Sequence, residues 1–230
     1  MNPLAAGLAA MPAEERRAAL TSLSVQDLAA LEFAWPVWAR PDQLPPEGLW
    51  RTWLLLGGRG SGKTRSAAEW IRCVVDSGTF GQIGIIGPTS DTLRRDVVQG
   101  PSGLLAVSPD WFRPNYEPSS RRVTWPNGAV AHLFSSEEPD RIRGANLQAF
   151  WGDEFCAWAD ISACWDMLQM ALRIAGPKGD APRGVLSTTP KPSPHLKALM
   201  ADPTTVVTRS RTTDNASNLF ACRSALMPSR

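Results

Sequence analysis

One glycine-rich segment near residue 60 has the residue types and the spacing of a phosphate-binding loop. Its pattern is a glycine, four further residues, and then glycine, lysine and threonine. Glycines allow the backbone to turn its N–H groups towards phosphate oxygens, and the lysine reaches the β- and γ-phosphates. The segment comprises Gly57, Gly58, Arg59, Gly60, Ser61, Gly62, Lys63 and Thr64. We therefore predict that it binds ATP, with Lys63 on the phosphates and the Thr64 hydroxyl on Mg²⁺.

A pair of adjacent carboxylates forms the second candidate. Asp153 and Glu154 directly follow an apolar run at residues 147–152. Phosphoryl transfer needs an acidic residue in the Mg²⁺ shell and a group that positions the attacking water. Ligands of open α/β sheets bind at the carboxyl ends of the strands, so we predict that Asp153 lies beside the loop on an adjacent strand as a metal ligand. Glu154 is the candidate catalytic base. The alternative is a helix cap at the surface.

The elements that must position these residues are strands alternating with helices. Apolar runs predict buried strands at residues 53–56, 83–87, 147–152, 184–188 and 205–208. Helical spacing predicts helices from the loop to residue 76, from Thr89 or Ser90 to residue 98, and at residues 161–174 and 195–200. Asn127-Gly128, between residues 121–125 and 129–134, predicts a β-hairpin. The alternation predicts an α/β fold with a mainly parallel sheet flanked by helices.

Composition fits a globular protein with one sizeable core. The chain has 230 residues, of which 43% are hydrophobic, and its net charge is +2. No apolar run approaches the ~18–20 residues that a membrane span needs. The first 20 residues lack the pattern of a signal peptide, so we expect a cytoplasmic protein. The cysteines have no metal-binding spacing, and we expect reduced thiols at Cys73, Cys156, Cys164 and Cys222.

The phosphate loop and the acidic pair, taken with shorter segments, resemble the large terminase subunits of tailed phages, prophages and gene transfer agents. The shorter segments lie at residues 38–46, 100–105, 125–129, 143–144 and 187–190, and the likeness extends from about residue 38 to about residue 218. The resemblance implies a P-loop NTPase of the additional-strand, catalytic-glutamate type. It also implies an N-terminal ATPase domain that drives double-stranded DNA into a capsid, as a homo-oligomeric ring on the portal protein with the small terminase subunit as a further partner.

The resemblance assigns roles to matching positions. Gln43 is similar to a glutamine that contacts adenine, and the alternative for it is a polar loop residue. Arg59 and Arg143 are candidates for stabilising transition-state charge, one of them in trans from a neighbouring subunit, and a surface salt bridge is the alternative for either. A hydroxyl-rich strand end is similar to a coupling motif that senses the γ-phosphate, with a polar strand end as the alternative. Its residues are Ser187, Thr188 and Thr189.

DNA contacts are predicted on charge alone, because a translocating motor grips the phosphate backbone rather than the bases. The candidates are Arg94, Arg95, Arg121 and Arg122. The alternative is that these arginine pairs lie on a protein surface that contacts only solvent.

The domain organisation that we expect is an N-terminal helical segment at residues 1–37, the ATPase domain at 38–219 and an irregular tail at 220–230. Large terminases carry a nuclease domain after the ATPase domain. We expect it to be absent here, with no nuclease activity in this chain. As localisation we expect the bacterial cytoplasm, with transient docking at the procapsid portal.

Two other functions remain open from the sequence. One is a different P-loop ATPase, such as a helicase, although helicases need further motor motifs. The other is a remnant that binds nucleotide without packaging DNA. ATP turnover stimulated by double-stranded DNA or portal distinguishes the packaging motor from these two.

Overall fold

An eight-stranded sheet runs through the part of the chain that the computed structural model describes, which is residue 7 and residues 10–215. The strand order is β3-β4-β5-β2-β6-β7-β1-β8, and all neighbours from β5 to β8 pair in parallel. Only β3, β4 and β5 pair antiparallel among the described strands. The strands are β1 Thr52–Gly57, β2 Gln82–Gly87, β3 Asn115–Glu117, β4 Arg122–Thr124, β5 Val130–Ser135, β6 Ala149–Gly152, β7 Arg183–Thr188 and β8 Thr205–Ser210. The predicted α/β fold with a mainly parallel sheet is confirmed.

Helices cover both faces of the sheet and also form the start of the described chain. They are α1 Ala13–Thr21, α2 Val25–Glu32, α3 Trp35–Trp38, α4 Lys63–Asp76, α5 Ser90–Thr92, α6 Leu104–Val107, α7 Ile161–Ala171 and α8 Pro194–Ala201. Short 3₁₀ turns occur at Pro41–Gln43, Asp110–Phe112, Pro139–Ile142, Phe155–Ala157 and Thr212–Asn215. Among the described helices, none combines the length and the apolar character required to cross a bilayer.

Strand β1 shows why the sheet is buried on both faces. Its side chains alternate between two apolar clusters: Trp53 and Leu55 pack on the face covered by α4, and Leu54 and Leu56 pack on the face covered by α7 and α8. Successive side chains of a strand point to opposite faces, so an unbroken apolar run fits a strand with helices on both sides.

Strand β7 lies between the strand of the phosphate loop and the strand of the acidic pair. It pairs with β1 through Leu56↔Thr188 and with β6 through Gly152↔Leu186. The expectation that Asp153 follows a strand adjacent to β1 is therefore wrong, since β6 is the next strand but one. Apolar runs identify buried strands but not their lateral order. The intervening strand agrees with the additional-strand type that the resemblance implied.

The hairpin is confirmed, whereas other details differ from the sequence expectation. Trp125 and Ala129 close the turn, and Gly128 has a φ of 87°. Strand β3 at the sheet edge was missed because it is short and polar. Helix α7 ends at Ala171 rather than at residue 174, because Leu172 forms a β-bridge with Leu147.

The helix predicted to extend to residue 98 is only partly α-helical. Thr89 caps it through its side chain, as expected. From Leu93 to Val98 the helix widens into a π-turn, in which the Gln99 N–H donates to the Arg94 carbonyl over 3.0 Å. Hydrophobic spacing does not distinguish these two helix types.

The cysteines of the described part agree with the reduced thiols expected. Cys73, Cys156 and Cys164 are free in this part of the chain. Cys222 and the tail expected at residues 220–230 lie outside the described residues.

Close packing across β6 and β7 generates a stability prediction. A Cβ atom added at Gly184 would overlap the ring of the fully buried Phe150. Overpacking of this kind costs about 1–3 kcal/mol. We expect Gly184→Ala to lower the free energy of unfolding, measured in urea, by that amount. The control is Gly81→Ala, where the nearest atom, Gln148 Oε1, is 3.8 Å away. Equal stability of the two variants would contradict this packing.

Candidate functional site

The phosphate loop connects β1 to α4 and has the backbone that its glycines allow. Gly60 and Gly62 have φ values of 73° and 95°, which side chains strongly disfavour. A Cβ atom on Gly57 would lie 2.6 Å from Ser61 Oγ and 2.7 Å from the carbonyl of Ser210. Helix α4 begins directly at Lys63, so its first N–H groups and its positive dipole end face the loop. The loop therefore has the form of an anion-binding cradle.

Lys63 is the buried centre of the site. Its ammonium donates to the carbonyls of Gly57 over 2.9 Å and of Gly58 over 3.1 Å. The same Nζ atom lies 3.7 Å from Glu154 Oε1 and 3.5 Å from Thr189 Oγ1. The structure thus brings together the loop, the acidic pair and the predicted coupling residues.

Asp153 follows β6 and is buried. Its Oδ1 accepts a hydrogen bond from Ser187 Oγ over 2.6 Å. Burial raises the pKa of Asp153 to about 6, against the lowering effect of the Ser187 hydrogen bond, and the neighbouring Glu154 carboxylate raises it further. A carboxylate in this position carries a charge that is only partly compensated by the protein.

Glu154 is held in a strained conformation. Its φ is 46°, in the left-handed region that side chains other than Asn and Asp seldom adopt. Its carboxylate accepts from the Thr189 N–H over 3.2 Å and from the Thr189 hydroxyl over 3.4 Å. The Cys156 N–H donates to Thr188 Oγ1 over 3.1 Å. The end of β7 therefore fixes the turn that carries the acidic pair.

The loop opens into a cleft of about 370 Å³. Loop residues 59–64 and Glu154 line it, as the sequence predicted, whereas the predicted metal ligand Asp153 and the predicted adenine contact Gln43 are not among its lining residues. Five further lining residues were missed: Arg65, Asp96, Pro101, Ser102 and Asn215. Pro101 and Ser102 belong to a segment that the resemblance had already included, and Arg65 directly follows the motif. No sequence signal marked Asp96.

Gln43 packs against the loop. It is buried, its Oε1 accepts from the Arg40 N–H over 3.2 Å, and its Nε2 lies 2.5 Å from the position of a Cβ atom on Gly62. The neighbouring Arg40, which the sequence analysis missed, donates to the Ser61 carbonyl over 2.8 Å. The 3₁₀ turn that carries Gln43 is therefore fastened to the phosphate loop.

The two candidate arginines lie in different places. Arg59 lines the cleft. The Arg143 side chain is 71% exposed, pairs with Asp140 at 3.3 Å and is absent from the cleft lining found among the described residues. Of the two, Arg59 is thus the one that this chain brings to its own site.

Each of the four arginines proposed for DNA has an acidic neighbour on the surface. The pairs are Arg94 with Asp91, Arg95 with Asp91 and Asp96, Arg121 with Glu138, and Arg122 with Glu117. These pairs offset much of the charge that would attract a phosphate backbone. A role in DNA binding stays a prediction.

The oxygen atoms of the site fit Mg²⁺. Within residues 10–215 no cluster of three or more His, Cys, Asp or Glu side chains could hold a metal ion. Mg²⁺ bound with a nucleotide needs only one or two protein ligands beside phosphates and water. The Thr64 hydroxyl and the Asp153 carboxylate are hard oxygen ligands, and a cation would offset the buried charge of Asp153. Both residues therefore fit a magnesium–nucleotide complex.

Comparison with known families gives one match. Residues 54–219 match the family described as "Terminase large subunit, T4likevirus-type, N-terminal". No sequence among the curated proteins matches the chain.

Solved structures of two phage terminases share the fold. The large terminase of a thermophilic bacteriophage has a TM-score of 0.61 and 16% identity, over 87% of this chain and 50% of that chain. The large terminase ATPase domain of Thermus phage P74-26 has a TM-score of 0.53 and 15% identity, over 80% of this chain and 90% of that one. The match thus spans about half of the first of these two proteins.

The strain at Glu154 generates the first prediction from the site. Glycine adopts a positive φ without penalty, whereas alanine keeps the strain. We expect Glu154→Gly to exceed Glu154→Ala in free energy of unfolding by about 1 kcal/mol, because both remove the carboxylate and differ only in the backbone term. Urea unfolding of both variants measures this difference. A more stable alanine variant would argue against the left-handed turn.

The raised pKa of Asp153 generates the second prediction from the site. Its folded-state pKa of about 6 lies above the ordinary value of 3.8, so the folded chain binds the proton more tightly. The stability that this proton confers is present below pH ~4 and is lost as the pH rises through about 6, by roughly 3 kcal/mol.

Without added Mg²⁺, we therefore expect Asp153→Asn to be more stable than the wild type at pH 7.5. The advantage should shrink as the pH falls towards 5. Unfolding free energies of both proteins across this range measure the effect. A difference that does not change with pH would rule out the raised pKa.

Proposed function

This chain belongs to the family of N-terminal domains of T4-like-virus-type terminase large subunits, and we propose that it is the ATP-hydrolysing motor domain that drives double-stranded DNA into a capsid. The observation that supports this best is the approach of Lys63 Nζ to within 3.7 Å of Glu154 Oε1 beside a glycine-rich loop. A phosphate-binding lysine and a candidate base thus meet at the carboxyl edge of the sheet, where α/β proteins bind nucleotides.

ATP binding would use the loop first. The N–H groups of the loop and of the first turn of α4 would surround the phosphates, and Lys63 would exchange its contacts with the carbonyls of Gly57 and Gly58 for phosphate oxygens. Gln43, fastened beside Gly62, would contact the adenine base. The first of the two terminases compared above, that of the thermophilic bacteriophage, has been solved in complex with ADP and with ATP-γ-S, which supports a nucleotide as the ligand of this fold.

Hydrolysis would depend on the acidic pair. Thr64 and Asp153 would hold Mg²⁺, whose charge offsets that of the phosphates. Glu154 would orient a water molecule at the γ-phosphate and accept its proton. Arg59 lines the cleft and would stabilise transition-state charge in cis, whereas Arg143, exposed away from the cleft, would serve a neighbouring subunit in trans.

Coupling to movement would begin at the end of β7. Thr189 contacts both Lys63 and Glu154, so any displacement of either side chain by a γ-phosphate changes its hydrogen bonds. Ser187 and Thr188 bind the turn that carries the acidic pair. These contacts support the proposal that residues 187–189 sense the state of the nucleotide.

The proposed partners follow from the family and from the charge of DNA. They are double-stranded DNA, the portal protein, the small terminase subunit and further copies of this chain in a ring. The place of action would be the cytoplasm of the bacterial host, at the portal of the procapsid. DNA would be gripped through its backbone, with Arg94, Arg95, Arg121 and Arg122 as the surface candidates.

Two substitutions in the site test the proposed chemistry. We expect Lys63→Ala to abolish ATP hydrolysis, because the β- and γ-phosphates lose their cation. We expect Glu154→Gln to retain nucleotide binding and to lower kcat by at least about 10²-fold, because general base catalysis is lost. Steady-state ATPase assays with and without double-stranded DNA, together with nucleotide titrations, measure both effects.

The control is Lys178→Ala, which removes an exposed lysine outside the cleft. Full turnover by the Lys63→Ala variant would refute the assignment of the loop. Loss of nucleotide binding in Glu154→Gln would show that the residue is structural rather than catalytic.

A further inference from the structure

Arg65 is a cation at the mouth of the cleft that the proposed mechanism does not use. It stands in the first turn of α4, directly after Thr64, and lines the cleft. Its guanidinium lies over the ring of Trp35, at 5.4 Å from the centroid. Its Nε donates to Glu69 Oε1 over 2.9 Å, and its Nη2 lies 2.7 Å from the same oxygen. The side chain is therefore oriented from two sides before any ligand binds.

The ion pair with Glu69 leaves positive charge in excess. Glu69 is only 1% exposed and also binds Arg72, whose Nε donates to Oε2 over 2.9 Å. Two guanidinium groups thus share one carboxylate. The Arg72 side chain is 7% exposed and donates to the carbonyl of Phe33, whereas that of Arg65 is 35% exposed. The uncompensated charge is therefore presented at the cleft by Arg65.

Other acidic groups do not neutralise this charge. Among the described residues, the carboxylates that line the cleft are Glu154 and Asp96. Glu154 faces Lys63, and both oxygens of Asp96 accept from Arg95 over 3.0 Å. The contacts with Glu69 use the Nε and Nη2 atoms of Arg65, so its Nη1 donors remain for an anion in the cleft that this residue lines.

We propose that Arg65 is a nucleotide ligand, which binds oxygen atoms of the phosphate chain and is presented to them by Trp35 and Glu69. The inference rests on the proposed function of the same cleft. A guanidinium forms strong charge-assisted hydrogen bonds with phosphate, and its prior orientation reduces the entropy that binding must offset. Because Trp35 belongs to α3, the segment before the ATPase core is part of the nucleotide site.

The experiment measures the dissociation constant of Mg·ADP for the full chain in the wild type and three variants. Arg65→Met keeps an unbranched side chain of similar length beside Trp35 and removes the side-chain donors, and we expect it to weaken binding about tenfold or more, as for other hydrogen bonds to charged groups. Arg65→Lys keeps the charge, and its dissociation constant should lie between those of the wild type and of Arg65→Met. The matched control, Arg113→Met, removes an exposed arginine that pairs with Asp110 outside the cleft and should bind as the wild type does.

A fifth protein, Glu69→Gln, distinguishes direct contact from a structural role. It breaks the ion pair that orients Arg65 but leaves the guanidinium available to phosphate, so we expect a loss of affinity that is clearly smaller than that of Arg65→Met. Equal weakening by Glu69→Gln and Arg65→Met would overturn the proposal, because the ion pair would then matter only for folding. Wild-type affinity in Arg65→Met would overturn it as well. A wild type that binds no nucleotide would refute the proposed function, and this inference with it.

Discussion

The hydrogen bonds at the end of β7 are the interactions on which the site depends. Ser187 donates to Asp153, and the backbone and hydroxyl of Thr189 donate to Glu154. These contacts exist because β7 is inserted between β1 and β6, so that its last residues reach both the phosphate loop and the acidic pair. The carboxyl ends of β1, β7 and β6 lie at one edge of the sheet, with β7 between the other two strands. The lateral order of the sheet is therefore the constraint that creates the site.

The same arrangement stores free energy in the protein. Burial of Asp153 disfavours its charged form, and Glu154 holds a left-handed backbone conformation. Each feature destabilises the fold on its own, and such features concentrate where a protein binds or transforms a ligand. A cation beside Asp153 would offset the carboxylate charge that burial disfavours. A phosphate beside Lys63 would replace the loop carbonyls as the partner of its ammonium group. The fold is thus prepared for a charged ligand, which we propose is Mg·ATP.

The sequence predicted the parts of this site better than their arrangement. The loop, the five strands with apolar runs and the Asn127-Gly128 hairpin follow from local rules that a short window obeys, whereas the short polar strand β3 does not. The position of β6 as the next strand but one depends on pairing between distant segments, which apolar runs do not encode. Arg65 and Asp96 were missed for a similar reason. Their types are ordinary for a helix surface, and only the packing of Trp35, Glu69 and Arg95 around them gives them a place in the cleft.

The most direct test is a crystal structure of the chain with Mg²⁺ and a non-hydrolysable ATP analogue. We expect β- and γ-phosphate oxygens within about 3 Å of Lys63 Nζ, with the metal at the Thr64 hydroxyl and the Asp153 carboxylate. We also expect the Glu154 carboxylate to face the γ-phosphate across a water molecule. Phosphates bound elsewhere, or an acidic pair turned away from the bound nucleotide, would contradict it.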